Sequence, residues 1–158
     1  MSDQRPGGVP AQETRTEMTW IVMPGQANAL GTVFGGQVMA WIDVCAAVAA
    51  QRFCRRNVVT ASMDELTFRA PIHQGDIVVL QAQVNWAGRT SMETGVRVER
   101  EDPRTGARTR TATAYLTFVA LDDDGRKCPV PRLLPQTEEE HRRHAEAAAR
   151  RQARLKRR

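Results

Sequence analysis

One stretch of the sequence, residues 36 to 55, constrains the fold more than any other. Small and aliphatic side chains continue there for about five helical turns, and almost no charge interrupts them before Arg52. A helix of this composition is buried on nearly all sides. Its longest apolar part, Val38 to Ala50, has thirteen residues and carries Asp43, whereas a membrane-spanning helix needs about twenty. We therefore expect no membrane association and a helix that the rest of the chain surrounds.

Strand patterns fill most of the remaining chain. Apolar and polar side chains alternate in them, and Pro, Gly and Asp residues mark the turns between them. The predicted strands are residues 18–23, before the helix, and 58–69, 77–86, 92–99 and 111–121, after it. One buried helix and an antiparallel sheet of about five strands, which wraps around it, make an α+β fold.

Composition divides the chain into three parts. Residues 1–16 carry Pro, Gly and mixed charge without an apolar segment, so we expect a flexible leader rather than a secretory signal, and a cytoplasmic protein. Residues 17–135 are the predicted folded domain. Residues 136–158 form a basic tail that begins with acids and ends with arginines, which suits the dipole of a solvated helix. Binding of phosphate groups by this tail is the alternative.

Charge, cysteines and histidines argue against several classes of function. The folded domain is close to neutral and 5% of the chain is aromatic, whereas a nucleic-acid binder usually has a basic face with interleaved aromatic residues. Cys45, Cys54 and Cys128 lack metal-ligand spacing, and we expect them to be reduced. His141 and His144 are three positions apart but have no third ligand. We therefore expect neither a nucleic-acid partner nor a metal site.

Asp43 is an acid within the apolar helix. Burial of an unpaired carboxylate is costly, so Asp43 needs a partner, water or a proton. No Lys or Arg occupies positions 39, 40, 46 or 47, which excludes a salt bridge within the helix. Either a group on another strand binds Asp43, or Asp43 belongs to a functional site.

Four blocks of sequence resemble, in order, the hotdog-fold acyl-CoA thioesterases of the YciA-like and brain-type acyl-CoA hydrolase branch. They are ANALGTVFGGQVMAWID, VVTASMDELTFRAPIHQGD, GRTSMETGVRVE and TAYLTFVALDDDGR, and the resemblance covers about residues 17 to 135. Gln26 departs from the pattern, because an acidic residue or His is expected there. The resemblance implies a hotdog fold and hydrolysis of fatty acyl-CoA to free acid and CoA without a cofactor. It also implies a homodimer that assembles into a trimer of dimers, a hexamer.

Thioester hydrolysis needs hydrogen-bond donors for the carbonyl oxygen, and a base or nucleophile on the other side. The N–H groups of Gly35 and Gly36, at the helix start, suit the first task, although two glycines there also fit close packing alone. The resemblance implies that Asp43 is the catalytic carboxylate, either as a general base toward water or as a nucleophile. It also implies that Asn28 positions the water or the thioester, a turn-forming Asn before Gly31 being the alternative.

The spacing of these groups along the helix predicts a shared site. Gly36 and Asp43 are seven residues apart, or about 10 Å along the axis, whereas a catalytic carboxylate lies within about 3 Å of its target or one water away. Two helices that pack antiparallel across a homodimer bring the start of one helix to the middle of the other. Two equivalent sites then arise by symmetry.

The segment GRTSM, residues 88–92, is a second candidate contact with the substrate. A tight Gly turn followed by Arg89, Thr90 and Ser91 offers a cation and hydroxyls to phosphate or pantetheine groups. The resemblance implies that this stretch lies along CoA, and an ordinary hairpin with a surface Arg is the alternative. Arg69 is a further candidate for a phosphate contact.

Two other functions are alternatives to thioester hydrolysis. A hotdog hydratase or dehydratase uses a catalytic His together with an acid, but no His lies near the apolar helix. A non-catalytic acyl-CoA-binding regulator would need no acid at position 43. Both observations favour the thioesterase.

Overall fold

The computed structural model of this chain describes residues 6–158. Within them it contains two α-helices and seven β-strands. Two single-turn 3₁₀ helices accompany them, at Ala11–Thr14 and Pro24–Gln26. The strands are β1 (Val9–Pro10), β2 (Thr16–Ile21), β3 (Asn57–Phe68), β4 (Ile77–Ala87), β5 (Ser91–Glu101), β6 (Arg108–Leu121) and β7 (Leu133–Leu134), and the helices are α1 (Gly35–Cys54) and α2 (Glu138–Lys156).

Five of the strands form one antiparallel sheet, in the order β2–β4–β5–β6–β3. α1 packs across the inner face of this sheet, and its buried side chains share one core with the inward-facing residues of the strands. α2 lies on the outer face, where Arg150 binds Glu93 of β5. The expected α+β architecture is confirmed, with one long helix inside a five-stranded sheet and a helical C-terminal segment. The predicted strands match the observed ones to within a few residues.

The sequence of α1 explains how closely this helix approaches the sheet. Its sheet-facing residues include Ile42, Cys45, Ala46, Ala49 and Phe53, none of which is more than 1% exposed. Small side chains at three of these positions let the helix lie against the strands, and burial of a side chain as large as Phe53 contributes about 1.5–3 kcal/mol. Neither described helix is long and apolar enough to cross a membrane.

The opposite side of α1 is uncovered within a single chain. Met39 and Val44 are 42% and 52% exposed, and Phe68 of the edge strand β3, whose ring lies beside Gly35 at the start of α1, is 49% exposed. The expectation of a helix buried on nearly all sides is therefore wrong for one chain, because no described element covers this face. Apolar surface of this kind marks a contact with another protein.

The segment before β2 is packed rather than flexible. Residues 1–5 of the expected leader lie outside the described residues, but Val9 and Ala11 are only 4% and 2% exposed. β1 pairs in parallel with β7, and the hydroxyl of Thr14 accepts a 3.0 Å hydrogen bond from the N–H of Val84. The expected flexible leader is therefore wrong from residue 9 onward. Its partners lie far along the chain, so no local pattern reveals the packing.

α2 has a capped start and a charged contact with the sheet. The hydroxyl of Thr137 accepts a 3.1 Å hydrogen bond from the N–H of Glu140, which caps the helix. The helix is not solvated on all sides, because Arg150 forms a nearly buried ion pair of 2.7 Å with Glu93. Burial alone lowers the pKa of Arg150, but the hydrogen bonds and the charge of Glu93 outweigh burial and raise it above its ordinary value.

Candidate active site

Asp43 of α1 is bound by a hydroxyl group from the neighbouring strand. Thr60 Oγ1, on β3, donates a 2.6 Å hydrogen bond to Asp43 Oδ1. Within residues 6–158 no salt bridge and no second hydrogen bond reaches the Asp43 side chain, which is half-buried. Asp43 therefore has a partner on a strand, which is one of the two alternatives that the sequence leaves open, but this partner, Thr60, carries no charge. The second oxygen of the carboxylate is left to bind something else.

Thr60 is a candidate site residue that sequence reasoning misses. It pairs with Phe118 of β6 and, like Val58, points to the inner face of the sheet, where α1 lies. Two features of the sequence point toward Thr60. Residues two apart on a strand share a face, so Thr60 lies on the same face as Val58, and Asp43 has no partner on its own helix. What the sequence does not show is which turn of α1 this part of β3 meets.

Gly35 and Gly36 form the first turn of α1. The first hydrogen bond within the helix runs from the N–H of Gln37 to the carbonyl of Phe34, at 3.1 Å. The N–H groups of the two glycines precede it, so they have no partner inside the helix. A Cβ on Gly36 would lie 2.8 Å from the Phe34 ring, and a Cβ on Gly35 would lie 3.5 Å from the Phe68 ring. Gly36 is therefore closely packed, and the N–H groups of Gly35 and Gly36 are also without a partner inside the helix, so both explanations of the glycine pair apply.

Asn28 uses one half of its carboxamide to shape the loop before α1. Its Oδ1 accepts hydrogen bonds from the N–H groups of Leu30 and Thr32, at 2.9 and 3.2 Å, and from the Thr32 hydroxyl at 3.2 Å. These donors fix the orientation of the amide, because only oxygen can accept from them. The turn-forming role of Asn28 is thus present, and the exposed Nδ2 group keeps both of its donors.

Within one chain, the candidate residues fall into two groups, one at each end of the strand β3. Gly35 lies beside Phe68, at the end of β3, and Arg69 follows directly. Asp43 lies beside Thr60, near the beginning of β3. The β6 partners of Phe68 and Thr60 are Ala112 and Phe118, so these two residues are about 20 Å apart along β3, whereas Gly36 and Asp43 are about 10 Å apart along α1. A single chain therefore does not bring Gly35, Gly36 and Asp43 together, as their helical spacing predicts.

The turn between β4 and β5 lies at the Asp43 end of the sheet. Met92, just after the turn, pairs with Phe118, and Phe118 pairs with Thr60 on its other side. The turn is therefore two strand spacings, or about 10 Å, from Thr60. Arg69 lies at the other end and does not join Arg89 within one chain.

The same turn is held in place by its backbone. The carbonyls of Arg89 and Thr90 accept hydrogen bonds of 2.9 and 3.0 Å from the N–H groups of Val130 and Ala120. The N–H of Gly88 donates to the carbonyl of Ser91 at 2.8 Å, which closes the turn. The backbone of the turn is thus bonded within the chain, and the side chain of Arg89 is exposed.

Neither the cysteines nor the histidines join this site. Cys45 faces the sheet, where burial raises the pKa of its thiol from 9.0 to about 11, although the charge of Arg52 opposes the shift. All three cysteines are free and buried. His73 lies in an exposed turn beside Asp76. No group of side chains suited to a metal ion occurs within residues 6–158.

Comparison with known proteins identifies relatives over nearly the whole chain. The family model of the thioesterase superfamily matches residues 30–107. A protein of Bacillus subtilis (strain 168) named as an uncharacterized acyl-CoA thioester hydrolase, YkhA, is 47% identical over 88% of this chain and 81% of its own length. A hexameric acyl-CoA thioesterase, solved without ligand, superimposes with a TM-score of 0.91 at 45% identity, over 94% of this chain and 96% of that one.

A Staphylococcus aureus acyl-CoA hydrolase gives a third comparison. Its structure, solved in complex with butyryl coenzyme A, coenzyme A and coenzyme A disulfide, has a TM-score of 0.88 at 37% identity. The match covers 94% of this chain and 91% of the S. aureus chain. Both the sheet and the two helices therefore have counterparts in solved enzymes.

Proposed function

Because the chain belongs to the thioesterase superfamily, we propose that Asp43 is the carboxylate with which it hydrolyses acyl-CoA. The protein is an acyl-CoA hydrolase with the hotdog fold. The observation that carries the assignment of Asp43 is the hydrogen bond from Thr60. A neutral donor holds one oxygen of the only acid on an otherwise apolar helix, and the other oxygen is available for water or for the thioester carbon.

The catalytic unit that we propose is a homodimer with two shared sites. The uncovered apolar side of α1 and the free edge of β3 supply a surface that a second copy can cover. An antiparallel arrangement brings the start of α1 from one subunit to Asp43 of the other, which overcomes the distance between the two groups. We propose that three such dimers assemble into a hexamer, and the relative that is named as a hexamer supports this number of subunits.

In this site the carbonyl oxygen of the thioester accepts hydrogen bonds from the N–H groups of Gly35 and Gly36, where the helix dipole also favours negative charge. Asn28, on the same subunit, donates from Nδ2 to the thioester or to the water. Asp43 of the other subunit acts from the opposite side, as general base or as nucleophile. Hydrolysis forms a bond between carbon and the oxygen of water and breaks the bond between carbon and sulfur, and CoA leaves as the thiol.

The substrate's CoA part follows the turn at residues 88–91. This turn lies at the same end of the sheet as Asp43, and its side chains offer the guanidinium of Arg89 and the hydroxyls of Thr90 and Ser91. Arg69 lies with Gly35 at the other end. In the proposed dimer it therefore approaches the CoA that is bound by the turn of the other subunit. We place the enzyme in the cytoplasm, a location that the three free cysteines support.

A thioester-hydrolysis assay over a series of acyl chain lengths tests this function. We expect the wild-type protein to release CoA and free acid without added metal or cofactor, and the Asp43→Ala variant to be nearly inactive while remaining folded. If the wild-type protein hydrolyses no acyl-CoA of any chain length, the function is wrong. If it is active and Asp43→Ala is equally active, the function stands and the site is wrong.

A further inference from the structure

Three arginines in the C-terminal half of α2 face the outer side of the sheet, and two of them are paired with acids. Arg150 donates two hydrogen bonds to Glu93, at 2.7 and 3.1 Å, and its guanidinium lies 3.6 Å over the Tyr115 ring. Arg154 donates to Asp64 at 2.9 Å. These pairs neutralise both cations and fix the position of the helix on the sheet.

Arg151, between them in sequence, has no acid partner within residues 6–158. Its guanidinium lies 4.7 Å over the Trp86 ring, and its Nη1 donates a long hydrogen bond of 3.4 Å to Ser91 Oγ. An aromatic face and a hydroxyl orient a guanidinium but leave its charge unpaired. Arg151 is only half-exposed, so this charge is less screened than that of a surface arginine.

The contacts of Arg151 place it beside the turn at residues 88–91. Trp86 packs directly on this turn, since a Cβ on Gly88 would lie 2.7 Å from the far edge of its indole ring. Arg151 therefore contacts both walls of the turn, the Trp86 ring on one strand and Ser91 on the other. Arg89 of the same turn adds a second cation, and its side chain is exposed.

We propose that Arg151 binds a phosphate group of the CoA part of the substrate, an inference that rests on the proposed function. A guanidinium presents paired donors that match phosphate oxygens, and here it is held in place by Trp86 and still charged. The C-terminal helix thereby contributes to substrate affinity, while Asp43 and the start of α1 carry out the chemistry.

Steady-state kinetics with two substrates tests Arg151. For Arg151→Gln we expect the KM for acyl-CoA to rise about tenfold, as for the loss of one charged hydrogen bond, with kcat within about twofold of wild type. For the thioester of the same acid with N-acetylcysteamine, which carries no phosphate, we expect unchanged kcat/KM. Arg151→Lys keeps the charge without the paired donors, and its KM for acyl-CoA should be intermediate.

Acyl-dephospho-CoA, which lacks the 3′-phosphate, identifies the phosphate group that Arg151 binds. A smaller effect of Arg151→Gln on the KM for this substrate assigns the 3′-phosphate, and an equal effect assigns the diphosphate.

Arg142→Gln is the matched control, because Arg142 lies on the same helix, is 59% exposed and is paired with Glu146. It makes the same change of charge, and we expect an unchanged KM. An unaltered KM for acyl-CoA in Arg151→Gln overturns the proposal, and so does an equal loss with both substrates, which indicates a structural role. Calorimetric titration with free CoA makes the same comparison without catalysis, so the binding role is tested even if no thioester is hydrolysed.

Discussion

Thr60 and Asp43 join α1 to the edge strand β3 through one short hydrogen bond, in which the Thr60 hydroxyl donates to Asp43 Oδ1 at 2.6 Å. The bond orients the carboxylate without neutralising it, because the donor carries no charge. It also fixes which oxygen is free, since Oδ1 is occupied and Oδ2 has no partner within residues 6–158. This pair is the part of the proposed site that one chain completes on its own.

Replacement of Asp43 by Asn should lower kcat at least about a hundredfold, the usual effect of removing an acid or base group. The carboxamide of this variant keeps an oxygen that can accept from Thr60, so the fold and the thermal unfolding midpoint should change little. The measurement is the rate of CoA release at saturating acyl-CoA. Asp123→Asn, in an exposed turn, makes the same chemical change and should retain full activity. A kcat for Asp43→Asn near the wild-type value would contradict the role of Asp43.

Replacement of Thr60 by Val removes the hydroxyl and keeps the shape of the side chain. We expect kcat to fall about tenfold, because Asp43 loses the hydrogen bond that orients it and bonds to charged groups are worth about 1.5–3 kcal/mol. Thr60→Ser keeps the donor and should recover most of the activity. If Val and Ser at this position have the same kcat, the hydroxyl does not orient Asp43.

Two inactive variants should restore activity when their subunits mix. Asn28→Asp keeps the oxygen that shapes the loop but loses the Nδ2 donors, and Asp43→Asn loses the carboxylate. In an equal mixture with free exchange, half of the dimers are mixed, and each of these has one intact and one doubly altered site. About 25% of wild-type activity should therefore return if the sites act independently. Exchange is verified with differently tagged subunits, and no recovery after exchange means that Asn28 and Asp43 act within one chain.

The ion pair between Glu93 and Arg150 should contribute measurably to stability. Both side chains are nearly buried, so removal of one partner leaves an uncompensated charge. In urea unfolding we expect Glu93→Gln and Arg150→Met each to lower the free energy of unfolding. The double variant should lose less than the sum, with a coupling energy of at least about 1 kcal/mol. Arg142→Met is the exposed control, and strictly additive losses would show that the pair has no net coupling.

Cys45 should make the protein less stable at alkaline pH. Its thiol pKa is raised from 9.0 to about 11 by burial, so both states are protonated below about pH 9 and the unfolded chain ionises first above it. Stability is therefore lost as the pH rises from about 9 to 11, by about 1.4 kcal/mol at about pH 10. Urea unfolding at about pH 8 and at about pH 10, at one protein concentration, measures this loss in the free energy of unfolding. Cys45→Ala should lack this component, and an equal pH dependence in both proteins would exclude it.

The elements of the fold are readable from the sequence because their patterns are local. Alternation of apolar and polar residues marks the strands, and a long run of apolar residues with almost no charge marks α1. The pairing of Val9 with Leu133 is different, because two isolated apolar residues carry no period and their contact forms only after the sheet has closed.

The sequence predicts which residue types form the candidate site, but it does not predict how they are arranged in space. Asp43 stands out because its position conflicts with its surroundings, and its spacing from Gly36 predicts that one helix does not supply both groups. Thr60 is missed because the register between α1 and β3 is a tertiary property. The contact of Arg151 with Ser91 joins two segments that the sequence treats as separate candidates, and only the docking of α2 connects them.

The way in which α2 is attached sets the order in which parts of the molecule open. Ala147 is its one fully buried apolar side chain, and its C-terminal half is otherwise attached to the sheet by ion pairs, cation–π contacts and a hydrogen bond to Ser91. We therefore expect that less free energy is needed to detach α2 than to open the sheet around α1, and that the amides of α2 exchange hydrogen through this local opening. A chain with α2 detached keeps Asp43, Gly35 and Gly36, the groups to which we assign bond cleavage. The proposed contact of Arg151 with a phosphate group and the proposed chemistry at Asp43 thus belong to parts of the fold that we expect to open separately.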